Sequence, residues 1–103
     1  MQAVEHGDAV VVTVDPGNCA ELWRVIEPWL GTNGKRKVVL DFSNVTFINS
    51  VNIAQVVALR QRALPLGTQV VVAGLRENIR AVFRILRLDK LFPLDLTLQT
   101  ALA

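Results

Sequence analysis

The chain has 103 residues, 51% of them hydrophobic, with 11 basic and 9 acidic side chains and a net charge of +2. That length suits one domain over residues 1–103 around one core, the small charge gives no case for nucleic-acid binding, and Cys19, the lone cysteine, excludes an internal disulfide and a cysteine metal cluster. No window approaches ~18 uninterrupted apolar residues, so no direct membrane insertion is expected, and Met1 to Asp8 has neither the basic start nor the apolar stretch of a secretory signal, so a cytoplasmic location is.

Ala9-Val10-Val11-Val12-Thr13-Val14 is β-branched and apolar on both alternating faces, and Asp15-Pro16-Gly17 ends it with turn chemistry; this predicts a central strand. Asn18 stands three residues before Glu21, as in a capping box, and Leu22, Val25, Ile26 and Trp29 follow at the spacing of an amphipathic helix. Pro28 lies near the end of that helix, and Gly31 to Gly34 supply a turn. Lys37-Val38-Val39-Leu40-Asp41-Phe42 is an apolar run between turn signals, the pattern of a strand buried on both faces. After the bend Ser43-Asn44, Val45 to Ile48 lead to Asn49 and Ser50, either of which can cap a helix running to about Leu64, where Pro65-Leu66-Gly67 stops it. Ile53, Val56, Val57, Ala63 and Leu64 form its expected core stripe.

Gln69-Val70-Val71-Val72-Ala73 reads as a third buried strand, followed by Gly74. A third helix is expected over Glu77 to Leu86, with Ile79, Val82, Phe83 and Leu86 on one face and Arg76, Arg80, Arg84 and Arg87 on another. Leu91 to Leu96 suggests a final edge strand, because Pro93 would be awkward in a central one, and Thr97 can cap a last short helix ending at Leu102. Strands alternating with helices predict an α/β domain: a mostly parallel sheet of four to five strands covered by about four helices.

Catalytic constellations are missing from the sequence. His6 is the sole histidine and sits beside Gly7 near the start, so histidine-based triads and metal sites lack their parts. No glycine-rich phosphate loop follows any strand, and Asp41, Asp89 and Asp95 read as surface or capping carboxylates. Cys19, at the first turn of a helix, reads as a small packing residue, since no partner base is visible to activate its thiol. The arginine stripe reads as a solvated helix face, with an acidic protein patch as the alternative. Neither enzymatic activity nor a metal or cofactor is expected.

The segment Val38-Val39-Leu40-Asp41-Phe42-Ser43-Asn44-Val45-Thr46-Phe47-Ile48-Asn49-Ser50 resembles the signature of the STAS domain, the module shared by sulphate transporters and anti-sigma factor antagonists. The resemblance continues through Gln69 to Gly74, Ile79-Arg80-Ala81-Val82-Phe83 and Leu88-Asp89-Lys90-Leu91-Phe92. It implies that Ser50 matches the serine that a kinase-type anti-sigma factor phosphorylates, and that the partner supplies ATP and Mg²⁺. Four positions depart from the family pattern: Asn49 stands for the usual Asp, Val51 for a second Ser or Thr, and Asn52 and Ala54 for glycines.

A hydroxyl at a helix N-terminus faces unpaired backbone amides, so a phosphate there is tolerated by the fold while its charge repels a partner. Val51, Ala54 and Ala58 form a separate strip of mostly small residues that a partner helix could approach closely. The expected partner surface is Asn44, Thr46, Asn49, Ser50, Val51, Asn52, Ala54 and Ala58. Two functions fit: an anti-sigma factor antagonist switched at Ser50, or a non-switching scaffold subunit of a stressosome-like or lipid-transport complex. Small-molecule binding ranks third, and the sequence leaves room for a homodimer.

Overall fold

Four strands form one sheet in the computed structural model, which describes residues 1–15, 19–30 and 36–103 apart from the side chain of Cys19. They are β1 (Ala3–His6), β2 (Ala9–Thr13), β3 (Lys37–Asp41) and β4 (Gln69–Ala73), in spatial order β1-β2-β3-β4. The three valine-rich runs are the parallel neighbours β2, β3 and β4, in a register that sets Val10, Val38 and Val70 in one row and Val12, Leu40 and Val72 in another. These rows point to one face. The alternate residues Val11, Val39 and Val71 point to the other, and this two-sided burial is why the runs lack polar alternation.

The helices are α1 (Leu22–Ile26), α2 (Ser50–Ala63), α3 (Glu77–Ile85) and α4 (Leu98–Ala101). Because β2, β3 and β4 are adjacent in chain order, right-handed crossovers place α1 and α2 on the same face. There Leu22 and Ile26 of α1, Ile53, Val56 and Leu59 of α2, and Ile79 and Phe83 of α3 enclose the main core with Val10, Val12, Val38 and Leu40. Phe83 is its hub: its ring meets Phe42 edge-on at 6.1 Å and Phe92 at 6.3 Å. The opposite face is thinner. Ala101 of α4 packs on Val39, Val71 and Ala73, whereas Val11 is only half buried and Val4 on β1 is exposed.

The sheet reaches four strands by a different route from the one the sequence suggests. Residues 91–96 form no strand. Phe92 and Leu94 are buried in the main core, Leu96 packs on the other face, and the segment therefore crosses from one side of the sheet to the other. Its recorded backbone link to the end of β4 is the Gly74 amide donating to the Leu96 carbonyl at 2.9 Å. Pro93 has no amide to donate to a ladder, and Phe92, Leu94 and Leu96 would share one face of a strand, whereas Leu96 packs on the side of the sheet opposite the other two. The fourth strand is β1, paired antiparallel with β2 through Val4↔Val11. Gly7 at φ +61° begins the two-residue turn Gly7-Asp8, a hairpin connection.

The helices are trimmed relative to expectation. The first is α-helical only over Leu22–Ile26, continuing as a 3-10 turn over Glu27–Trp29. Pro28 explains this, since its ring would clash with the Arg24 carbonyl four residues earlier. Leu64, expected in the core stripe, begins the 3-10 turn Leu64–Leu66 and is exposed, while Val57 is half buried. Leu86 is also exposed: α3 ends at Ile85, and Arg87 adopts a left-handed conformation at φ 59°. Thr97 caps α4 as expected, its hydroxyl accepting from the Thr100 amide at 3.1 Å. Pro16-Gly17 of the turn expected after β2, the turn at Gly31 to Gly34, the Asn18 cap and the packing of the Cys19 side chain fall outside the described residues.

Candidate functional site

Parallel strands present their carboxyl ends on one side of a sheet, and the chain leaves β3 there between its two parallel neighbours. The ladder runs one step further through the Val14 amide on the Asp41 carbonyl, 2.9 Å, and the Phe42 amide on the Ala73 carbonyl, 2.8 Å. The chain then turns away, with the Val45 amide donating to the Phe42 carbonyl at 2.9 Å and the Val45 side chain buried as an anchor. Asp41 stabilises the departure by accepting the Ser43 amide on Oδ1 at 3.0 Å. Gly74 lies against this bend at φ +68°, where a Cβ would stand 3.3 Å from Asp41 Oδ1 and 3.4 Å from Ser43. Both the backbone conformation and the close approach call for glycine.

The start of α3 clamps the same segment. Arg76 Nε donates to the Ser43 carbonyl at 3.1 Å, and Asn78 Nδ2 donates to the Thr46 carbonyl at 2.8 Å. Residues 43–46 are thus tied to β3 below and α3 beside them, so the turn presents a defined shape. The Arg80 and Arg84 guanidinium groups lie 3.6 and 3.7 Å from Asp95 Oδ1, and Arg80 also donates to the Leu75 carbonyl at 3.3 Å. The arginine stripe therefore has work within the chain. With Asp95 well exposed, its ion pairs with Arg80 and Arg84 contribute little stability.

Asn49 resolves which residue caps α2. Its backbone is extended, at φ −114° and ψ 173°, and its side-chain Oδ1 accepts the Asn52 amide at 2.9 Å, while the Ile53 amide closes the first helical bond on the Asn49 carbonyl at 3.1 Å. Ser50 is consequently the first helical residue, and it is exposed. Asn and Asp are about equally good caps, so the presence of Asn at position 49 preserves the start of the helix without adding a charge beside the serine. Asn49→Ala should lower stability by about 1 kcal/mol and Asn49→Asp by much less, as read from urea unfolding midpoints.

Around Ser50 two apolar side chains stand in solvent: Phe47 is 65% and Val51 is 62% exposed. Ile48 between them packs on the core and fixes the level of the turn. Of the sequence-predicted surface, Asn44, Thr46, Asn49, Ser50, Val51 and Ala54 are all exposed, at the turn and on the first turns of α2. Asn52 and Ala58 are half buried, and Ala58 lines a groove between α1 and α2 instead of standing in the open. Phe47 is an addition to the predicted surface. Its signal in the sequence is an aromatic side chain between the inward Val45 and Ile48, out of step with a buried strand.

His6, Asp89 and Asp95 are exposed and distributed over separate parts of the fold, and no group of three His, Cys, Asp or Glu able to hold a metal ion is found among the described residues. No helix among them is long and apolar enough to cross a membrane.

A family model for the STAS domain matches residues 1–101. Among solved structures, the NMR structure of the protein TM1081 is similar, with a TM-score of 0.78 and 17% sequence identity over 96% of this chain and 82% of that one. At that identity the likeness establishes the fold.

Proposed function

Because this chain belongs to the STAS domain family, we propose that it is a regulatory protein-binding module of the anti-sigma factor antagonist type. Its partner is a kinase-type anti-sigma factor that docks on the turn at residues 44–54 and phosphorylates Ser50. The observation that carries this reading is the placement of Ser50: an exposed first-turn hydroxyl, flanked by exposed Phe47 and Val51, on a turn clamped by Arg76 and Asn78. Exposed apolar side chains on a fixed turn give a partner contact area at low ordering cost. A serine hydroxyl beside them gives a kinase its acceptor and the complex its off-signal. In this reading the chain supplies no catalytic group; ATP and Mg²⁺ belong to the partner, and the module works in the cytoplasm.

The test mixes this protein with the cognate kinase-type anti-sigma factor and labelled ATP, and locates the label by mass spectrometry. Label on Ser50, absent in Ser50→Ala, supports the reading. An unmodified Ser50 under conditions where the kinase labels another substrate overturns it.

Val51 and Asn52, in place of a second hydroxyl and a glycine, favour a second reading in which the same surface serves a constitutive scaffold. In that case Ser50→Asp and Ser50→Ala both leave partner binding unchanged, whereas the switch requires Ser50→Asp to weaken it and Ser50→Ala to bind at least as tightly as the unmodified protein.

A further inference from the structure

The thinly covered face of the sheet carries a row of valines that ends in the open. Strand register places Val71 of β4, Val39 of β3, Val11 of β2 and Val4 of β1 side by side. Cover falls away along that row: Val71 and Val39 lie buried with Ala101 of α4, Val11 is half buried, and Val4 is 61% exposed. The row stops there because β1 is the end strand, with no strand beyond it among the described residues. In an antiparallel ladder alternate residues turn their amides and carbonyls away from the strand they pair with, so an edge of this kind is a template for one more strand. Edges are ordinarily blunted by a proline, a bulge or a lysine. The strand Ala3-Val4-Glu5-His6 has none of the three, and it pairs with β2 residue for residue.

We propose that the outer edge of β1 pairs with β1 of a second copy of this chain, antiparallel and with Val4 on the two-fold axis. Self-complementarity selects this occupant. An axis perpendicular to the sheet joins two like edges antiparallel, and it sets one residue opposite itself. With Val4 in that place the valine row runs unbroken through both copies, and Val4 meets an identical apolar side chain. The same register sets Glu5 opposite Ala3 and His6 opposite Gln2, so no charged side chain faces its own copy. Moving the axis to Glu5 would set two carboxylates against each other, and moving it to Ala3 would set Val4 against Gln2. A four-residue edge buries far less than the ~1,200 Å² at which stable interfaces begin, so the dimer is weak, with a Kd of about 0.1 mM. It shares no residue with the turn at 44–54, and its failure would leave the reading of Ser50 standing.

The test is sedimentation velocity of the full chain from about 10 µM to about 1 mM, with the wild type beside Val4→Lys. The wild-type mass should rise from that of one chain toward that of two, and Val4→Lys, which puts two like charges opposite each other on the axis, should weaken the dimer about tenfold or more. Cross-linking reads the register separately. In a Cys19→Ser background with oxidised glutathione, Val4→Cys should form an intermolecular disulfide, because residues directly opposite have Cα atoms about 4.5–5.5 Å apart. His6→Cys should not, since this register leaves the two positions four residues, or about 13 Å, apart along the strands. A wild type that stays a single chain at about 1 mM overturns the proposal, as does a dimer that Val4→Lys forms equally well or that His6→Cys cross-links as readily as Val4→Cys.

Discussion

Phosphorylation of Ser50 is expected to weaken the complex with the kinase-type partner about a thousandfold while leaving the fold intact. The two halves of that result have separate causes. For the complex, a phosphate carries nearly two negative charges, and at an effective dielectric of ~20 each repels a partner carboxylate ~8 Å away by roughly 2 kcal/mol. Together these make about 4 kcal/mol, or roughly three decades in Kd. For the fold, the added charge lies on the first residue of α2, at the positive end of the helix dipole, while the Asn49 side chain still caps the Asn52 amide. The melting temperature of the phosphorylated chain should stay within a few degrees of the unmodified one, since a first-turn anion contributes only about 0.3–1 kcal/mol. Ser50→Asp adds one charge and should cost about thirtyfold in affinity; Ser50→Ala should bind at least as tightly as the unmodified protein. Titration calorimetry reads the affinities, and a thermal melt reads the fold.

The largest effect on stability is expected from Phe83→Ala. Phe83 is fully buried between Phe42 and Phe92, and it joins α3 to the end of β3 and to the segment that crosses the β4 edge. Truncating a buried phenylalanine costs about 3–5 kcal/mol, through lost transfer free energy and the cavity left behind. Domains of this size hold about 5–15 kcal/mol in all, so the variant should melt about 20 °C lower and have a substantial unfolded population if the parent lies at the low end. Ile85→Ala, two residues along the same helix at a side chain that is 79% exposed, should change stability by less than about 0.5 kcal/mol. The pair of melts separates burial from helix propensity.

The parallel core was legible because its residues carry one demand each. Val10, Val38 and Val70 form a row on one face of the sheet and Val11, Val39 and Val71 a row on the other, and runs of β-branched residues between turn signals have few other uses. The strand β1 was hidden because only Ala3 of its four residues is even partly covered, so Val4, Glu5 and His6 have no burial pattern to display. The Gly7-Asp8 turn was the available clue. Leu91 to Leu96 misled for the opposite reason: Phe92 and Leu94 are buried, but on the way across an edge, and periodicity cannot distinguish a strand from a crossing.

At the site, the sequence identified the turn and its serine but left open whether Asn49 or Ser50 caps α2. Only geometry assigns the cap, through the bond from Asn52 to Asn49 Oδ1, and so frees the Ser50 hydroxyl for another use. The exposure of Phe47 and the clamp from Arg76 and Asn78 depend on residues about thirty positions apart in the chain. No local pattern reports such a contact.

The central claim is that partners dock on the turn around Ser50. Its most direct test is a ¹H–¹⁵N titration of the labelled chain with the kinase-type anti-sigma factor, before and after phosphorylation of Ser50. Shifts should centre on residues 44–54, with Phe47 and Val51 among the largest, and should vanish at the same concentrations once Ser50 is phosphorylated. Shifts centred on Val4 and Val11 across the thinly covered face of the sheet, with the turn unmoved, would contradict the account.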